Sequence, residues 1–246
     1  MKRRAFLAGI SALFVGACSK ISRSDAGASF FHAAEDWHRK AHRALSSRHA
    51  LVREYSKADI SPFFRGNGSI RVDTAEYRAH VENGFADWRL DVRGMVKRPL
   101  SLSMENLRKL PQRTQITRHD CVEGWSAIGE WSGPQLSRVL EDAGIMQGAN
   151  FIVFRCADTL AGSNYYESID MVDAMHPQTI IAHRLNGENL PVINGAPIRM
   201  RVEKQLGYKH PKYLIAIEVV ASLEDIAGGN GGYWEDRSGY QWYGGI

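Results

Sequence analysis

The stretch "TRHDCVEGWSAIGEWSG", residues 117–133, decides how this chain is read. It sets one cysteine, Cys121, after four polar residues and follows it with two tryptophans and three glycines. "TQITRHD" (114–120) predicts a short strand that runs into a glycine- and tryptophan-lined loop holding the thiol. The residues leave four roles open. Cys121 could pair with Cys156 in a disulfide, or act as a nucleophile with His119 as its base. It could bind zinc together with His119, although no CxxC or HxxxH spacing supports that. It could also be the single protein thiolate on a metal whose remaining ligands belong to a cofactor.

Working outward, "SGPQLSRVLEDAG" (132–144) predicts a helix with Pro134 in its first turn and Gly144 as terminator. Upstream, Trp88, Leu90 and Val92 alternate with charged residues as a strand would, and "SLSMENLRKLP" predicts a short helix capped near Ser103 and stopped by Pro111. Downstream, "NFIVFRC", "YYESI", "TIIAHRL", "APIRMRV" and "KYLIAIEVV" read as strands, with a turn at Asn186-Gly187 and a short helix at "DMVDAM" that Pro177 ends. Few helices are long and most strands are joined by turns. The fold class is therefore α+β with a mixed sheet. No glycine fingerprint for a dinucleotide follows any strand. The segment "GGNGGYWEDRSGYQWYGGI", rich in glycine and aromatic residues, is expected to pack back on the body.

The chain opens on Lys2, Arg3 and Arg4 ahead of an apolar run to Ala17, which resembles a twin-arginine export signal. The run ends in "VGAC", similar to a lipobox whose Cys18 would be lipidated after cleavage. Residues 1–18 are thus expected to be an export signal, and the protein periplasmic or anchored on the periplasmic face of a membrane. Losing them removes three basic and no acidic residues, so the formal charge falls from +4 to +1. Such a balance gives no electrostatic footprint for a nucleic acid. Residues 19–57 read as an N-terminal helical extension, with Phe31, Ala34, Trp37, Ala41 and Leu45 at helical spacing. The histidines His32, His38, His42 and His49 on it are taken as a solvated face. "ISPFFRGNGSI" (60–70) is a loop into the main domain, residues 58–246.

Three motifs in order carry a family resemblance: "RHDCVEGWS" around Cys121, "AMHPQTIIAHRLNGENLPVINGAPIRMRV" (174–202) and "LGYKHPKYLIAIEVV" (206–220). Over residues 60–225 the chain resembles the sulfite oxidase superfamily of molybdopterin enzymes, and within it the bacterial periplasmic sulfoxide reductases. The resemblance implies one molybdenum-molybdopterin per chain, with Cys121 as the sole protein ligand to the metal. It implies that Asn67, Cys156, Asn194, Arg199, His210 and Lys212 hold the pterin and its phosphate. Arg118 and His119, just before Cys121, could present positive charge to an oxyanion or a hydrogen bond to a sulfoxide oxygen. Three positions depart from the family pattern. Ile70 and Arg71 replace a tyrosine–glutamate pair, Cys156 a threonine and His210 a glycine.

The expectation is an exported oxidoreductase moving an oxygen atom to or from a small sulfoxide or oxyanion. With no CxxCH haem site or flavin motif in the sequence, electrons would be exchanged with a separate carrier, a membrane haem subunit or a c-type cytochrome. The alternative is an exported lipoprotein that keeps the fold as a binding module without redox activity.

Overall fold

The computed structural model describes residues 24–45 and 47–246, so the expected signal and Cys18 lie outside the described residues. The chain divides into two compact units, Met1–Ser47 and Arg48–Ile246. The first contains helix α1 (Asp25–Leu45), on which Phe30, Trp37 and Leu45 are exposed and the rings of His38 and His42 stack 6.1 Å apart. The stretch after Arg48 is bonded into the second unit: the Val52 amide donates to Gln178 Oε1 at 2.8 Å, and that of Tyr55 to the Ile116 carbonyl at 2.8 Å. Among the described residues no helix is long and apolar enough to cross a membrane.

In chain order the second unit runs α2 (Ala75–Glu82), β1 (Arg89–Gly94), β2 (Leu100–Ser103), α3 (Met104–Lys109), β3 (Gln112–Cys121), β4 (Trp125–Pro134) and α4 (Leu136–Ala143). It continues with β5 (Phe151–Leu160), β6 (Ser163–Asp170), α5 (Met171–Ala174), β7 (Ile180–Ala182), β8 (Arg184–Leu185), β9 (Glu188–Asn189), β10 (Arg199–Arg201), β11 (Leu214–Val220) and α6 (Tyr233–Ser238). Five strands form a mixed sheet in the order β2-β1-β11-β5-β6, in which only the β1–β11 pair is parallel. The α+β expectation holds. Leu90 and Val92 point into the core while Arg89, Asp91 and Arg93 face out, the period-two alternation that the sequence displays. Helix α4 buries Leu136, Val139, Leu140 and Ala143, one stripe at helical spacing, and Gly144 closes it in the left-handed conformation at φ 71°. Ser103 caps α3 as expected, accepting from the Asn106 amide.

The expected loop after Cys121 is instead a strand. β3 and β4 pair antiparallel along their whole length, from Gln112 opposite Pro134 to Cys121 opposite Trp125, and β4 continues the four-stranded sheet β3-β4-β8-β9. Its glycines disguise the alternation of Ala127, Gly129, Trp131 and Gly133 toward a second apolar cluster, in which Trp131 packs with Phe64, Ile180, Ala182 and Leu185. At Gly133 a Cβ would lie 2.0 Å from the Ile181 carbonyl oxygen, so the crossing with β7 tolerates no side chain there. Pro134 consequently ends β4 and does not open the helix.

Residues 228–246 pack back on the body as expected. The Leu206 amide donates to the Gly244 carbonyl at 2.7 Å and the Ile246 amide to that of Lys204 at 3.1 Å. Inside the contact, Lys209 is fully buried between Glu167 and Glu235.

Candidate active site

β3 delivers its residues by strand alternation. Gln115, Thr117, His119 and Cys121 point inward; Arg118 points outward, its side chain 54% exposed and paired with Asp120 at 2.9 Å. The strand therefore brings His119 and Cys121 to one face and takes Arg118 to the other. Cys121 sits 9% exposed at the edge of a cleft whose space, about 660 Å³, is partly open to solvent. The loop 67–69, the end of β5 and the turn 207–212 converge on the same cleft.

Two cysteines of the second unit are free. Burial pushes the Cys121 thiol up, and the Glu123 carboxylate adds to this. A nucleophilic cysteine is usually held as thiolate by a lowered value, so this setting suits a thiol that ionises on taking a metal. No group of three or more His, Cys, Asp or Glu able to cage a metal is found among the described residues.

Buried cations lie near Cys121, and the Asp158 and Glu123 carboxylates line the same cleft without forming an ion pair with them. Lys212, 6% exposed, donates from Nζ to the Asn67 carbonyl at 2.5 Å and to that of Ser69. Arg199 is fully buried and donates to the carbonyls of Asn194 (3.0 Å) and His210 (3.2 Å), leaving Nε without a partner. Neither makes an ion pair among the described residues. Burial, and then the mutual repulsion of cations, brings Lys212 down to about 7 and Arg199 to about 9. Gly195, at φ 108°, makes room for Lys212: a Cβ there would stand 2.8 Å from that of the lysine. Asn67 Oδ1 is buried and unpartnered at the same cleft.

His119 is set by Arg201, a residue the sequence reading did not single out. Arg201 is buried against Glu203, with contacts of 2.8 and 2.7 Å, and its Nη1 lies 2.9 Å from His119 Nδ1. Guanidinium has no lone pair to offer, so Nδ1 accepts and the neutral ring carries its proton on Nε2. That Nε2 is buried and unpartnered. Burial first, then Arg201, His210 and Arg199, keep the ring far below the ordinary histidine range. His210 is also held neutral by burial; its Nε2 donates to the Gln205 carbonyl at 3.0 Å and its Nδ1 has no partner. Gly207 lets the turn approach: its Cβ would sit 2.5 Å from the His119 ring.

The other expected residues are divided. Asn194 is buried, bonding the carbonyls of Phe64 and Arg65 and receiving Arg199, so it braces the trap from behind. Cys156 is sealed in β5 and borders a different cavity, with Tyr77, Trp88 and Arg155, while Asp158, two residues on, reaches the Cys121 cleft. Asp158 accepts from Ser69 on Oδ2, has a bare Oδ1, and is raised above the usual carboxylate range by burial. Tyr165, Trp234 and Tyr240 also line the cleft. Only the aromatic richness of the last segment could have pointed to Trp234 and Tyr240; Tyr165 lies in β6, where nothing in the sequence marked it.

These residues fit a phosphate-bearing pterin. Two buried cations that make no ion pair match a dianion, unpartnered polar atoms on Arg199, Asn67, His119 and His210 offer donors and acceptors, and one thiol is open to a soft metal.

Comparisons with known proteins agree with that fit. A solved structure, the sulfane dehydrogenase SoxCD of Paracoccus pantotrophus, overlays 57% of this chain and 40% of its own at a TM-score of 0.52 and 24% identity, a likeness of fold. The YedZ1 subunit of Azospira oryzae, named for a protein-methionine-sulfoxide reductase, is 44% identical over 65% of this chain and 56% of its own. The MsrP catalytic subunit of the protein-methionine-sulfoxide reductase of Campylobacter jejuni is 35% identical over 54% of this chain and 48% of its own. The chain thus spans about half the length of these curated relatives. A sequence model of the family described as oxidoreductase molybdopterin binding domain matches residues 78–225, more than half of the chain, and the chain belongs to that family.

Proposed function

We propose that the chain is an exported molybdopterin oxidoreductase that carries out two-electron oxygen-atom transfer on a small sulfoxide or oxyanion. The names of its relatives favour sulfoxide reduction. The observation that carries the proposal is the convergence of Cys121 with Lys212, His210 and the unpartnered Asn67 around one cleft, with Arg199 buried behind it on the His210 carbonyl. When bound, the cofactor supplies a metal that changes oxidation state by two and an exchangeable oxygen site. In sulfoxide reduction the S–O bond breaks, two electrons arrive from a separate haem carrier, and two protons leave with the oxygen as water.

This chain's residues do the rest. Cys121 anchors and tunes the metal. Lys212, Arg199 and His210 meet the phosphate and pterin, with Asn194 and Asn67 positioning the loops that hold them. His119, its tautomer fixed by Arg201, holds its proton on a buried Nε2 that faces Gly207, a residue of the cleft wall, and so braces the turn that carries His210 and Lys212. Buried Trp131 and Phe64 keep water from the inner side of β3. Export by the twin-arginine signal, with Cys18 as a lipid anchor, suits a protein that folds around its cofactor first.

The test is elemental analysis of the exported protein, paired with reduction of sulfoxides by a dye donor. Near-stoichiometric molybdenum and sulfoxide turnover are expected. Cys121→Ser should retain the pterin and the fold but lose turnover by at least a hundredfold, on the order of 3 kcal/mol of barrier. Molybdenum-free protein from cofactor-replete cells would refute the proposal, and full activity in the serine variant would refute the ligand assignment.

A further inference from the structure

The cleft has two chemically distinct linings. One is polar and built from Asn67, Ser69, Asp158 and Lys212, which are tied together by the contacts of Lys212 with the 67–69 loop and of Ser69 with Asp158. The other is aromatic. Trp234 and Tyr240 stack with ring centroids 5.7 Å apart at 25°, and Tyr240 meets Tyr208 edge-on at 5.3 Å. Trp234 is half-buried and Tyr240 37% exposed, so both rings keep surface uncovered by protein.

The aromatic lining is ill suited to the phosphate or to a bare oxyanion. The Tyr208 hydroxyl donates to the Gln241 carbonyl at 2.6 Å and that of Tyr165 to the Tyr208 carbonyl at 2.9 Å, so both phenols are committed to the backbone. What they leave toward the cleft is ring. It is also held rigidly. Glu235, between Trp234 and Asp236, is buried against Lys209 at 2.8 Å; Tyr233 donates to the Leu160 carbonyl at 2.7 Å; Asp236 receives the amides of Gly228 (2.9 Å) and Asn230 (3.0 Å). A rigid ring pair costs little ordering on binding, and aromatic faces favour methylene, methyl and sulfur contacts.

We infer that the stacked Trp234–Tyr240 pair, which lies beyond the region matched by the family, is the specificity wall of the site and receives the apolar arm of an organic sulfoxide. The inference rests on the function proposed above and assigns its selectivity to these two residues. A long thioether-type side chain gains the wall; dimethyl sulfoxide, with only two methyl groups, gains little of it; an inorganic oxyanion gains nothing.

The experiment compares holoenzyme of the unaltered chain with Trp234→Ala, Tyr240→Ala and Tyr240→Phe, measuring molybdenum per chain, thermal midpoint, and KM and kcat for methionine sulfoxide and dimethyl sulfoxide. Both alanine variants are expected to keep their molybdenum and their kcat, to raise KM for methionine sulfoxide about tenfold, and to change KM for dimethyl sulfoxide less than twofold. Tyr240→Phe, which keeps the ring, should behave as the unaltered chain. Equal shifts for the two sulfoxides overturn the inference, as does loss of molybdenum, which would make the rings part of the cofactor's cradle. Unaltered protein that holds molybdenum and reduces sulfoxides without preferring methionine sulfoxide overturns the inference alone. Unaltered protein without molybdenum overturns the proposed function and this inference with it.

Discussion

Lys212 and the two site histidines show what burial beside other cations does to single residues. Lys212 titrates near 7 in the fold against an ordinary value of 10.5, because its burial and the nearby Arg199 guanidinium outweigh the pull of the Asp158 and Glu123 carboxylates. Between those values the unfolded chain binds the extra proton, so the stability of protein made without pterin should rise as pH increases from about 7 toward 10.5. His119 and His210, both pushed well below 6.5, act in the same direction lower down, and stability should fall as pH drops below about 6.5. Thermal melts across this range check both, and Lys212→Met should flatten the upper limb. The cysteine could be found in sequence because it stands alone among tryptophans and glycines, although its role there stays open between four chemistries until the family motifs are read. Arg201 could not: its role depends on reaching His119, 82 residues away in the chain, and no local pattern encodes that.

Elements with a simple period were legible and those punctuated by glycine were not. The alternation of Trp88, Leu90 and Val92 gave β1, and the apolar runs gave β5 and β11. β4 was hidden because its glycines serve close packing, as at Gly133, and not turning. The same logic governs the turn 207–212, whose approach to β3 depends on a missing side chain. Gly207→Ala would place a methyl 2.5 Å from a His119 ring that Arg201 pins in place. The turn must then withdraw, and the variant is expected to melt several degrees lower and to lose most of its bound molybdenum. A variant with full molybdenum would show that the turn has slack that the packing does not reveal.

Across the whole molecule, the site is assembled from segments that the sequence reading kept apart: the loop at 67–69, the β3–β4 turn, the end of β5, the turn 207–212 and the rings at 234 and 240. Composition suggested that the last segment would dock, yet its place at the cleft emerges only from the buried group of Lys209, Glu167 and Glu235. Burial raises Glu167 far above the carboxylate range and Lys209 draws it back, so the acid depends on its buried cationic partner. Glu235→Ala leaves Lys209 with one partner and loosens helix α6. Limited proteolysis should then cut within residues 226–246 at least tenfold faster, with sulfoxide selectivity falling in parallel; unchanged cleavage would mean that the hydrogen bonds of Asp236 suffice.

The position of those rings late in the chain also bears on biosynthesis. A ribosome releases residues 67, 121, 158 and 212 before residue 240, so no nascent intermediate presents a complete cleft, however well its earlier strands have paired. Products broken off before the aromatic segment would lack both the proposed specificity wall and Glu235, one of the two acids that hold Lys209.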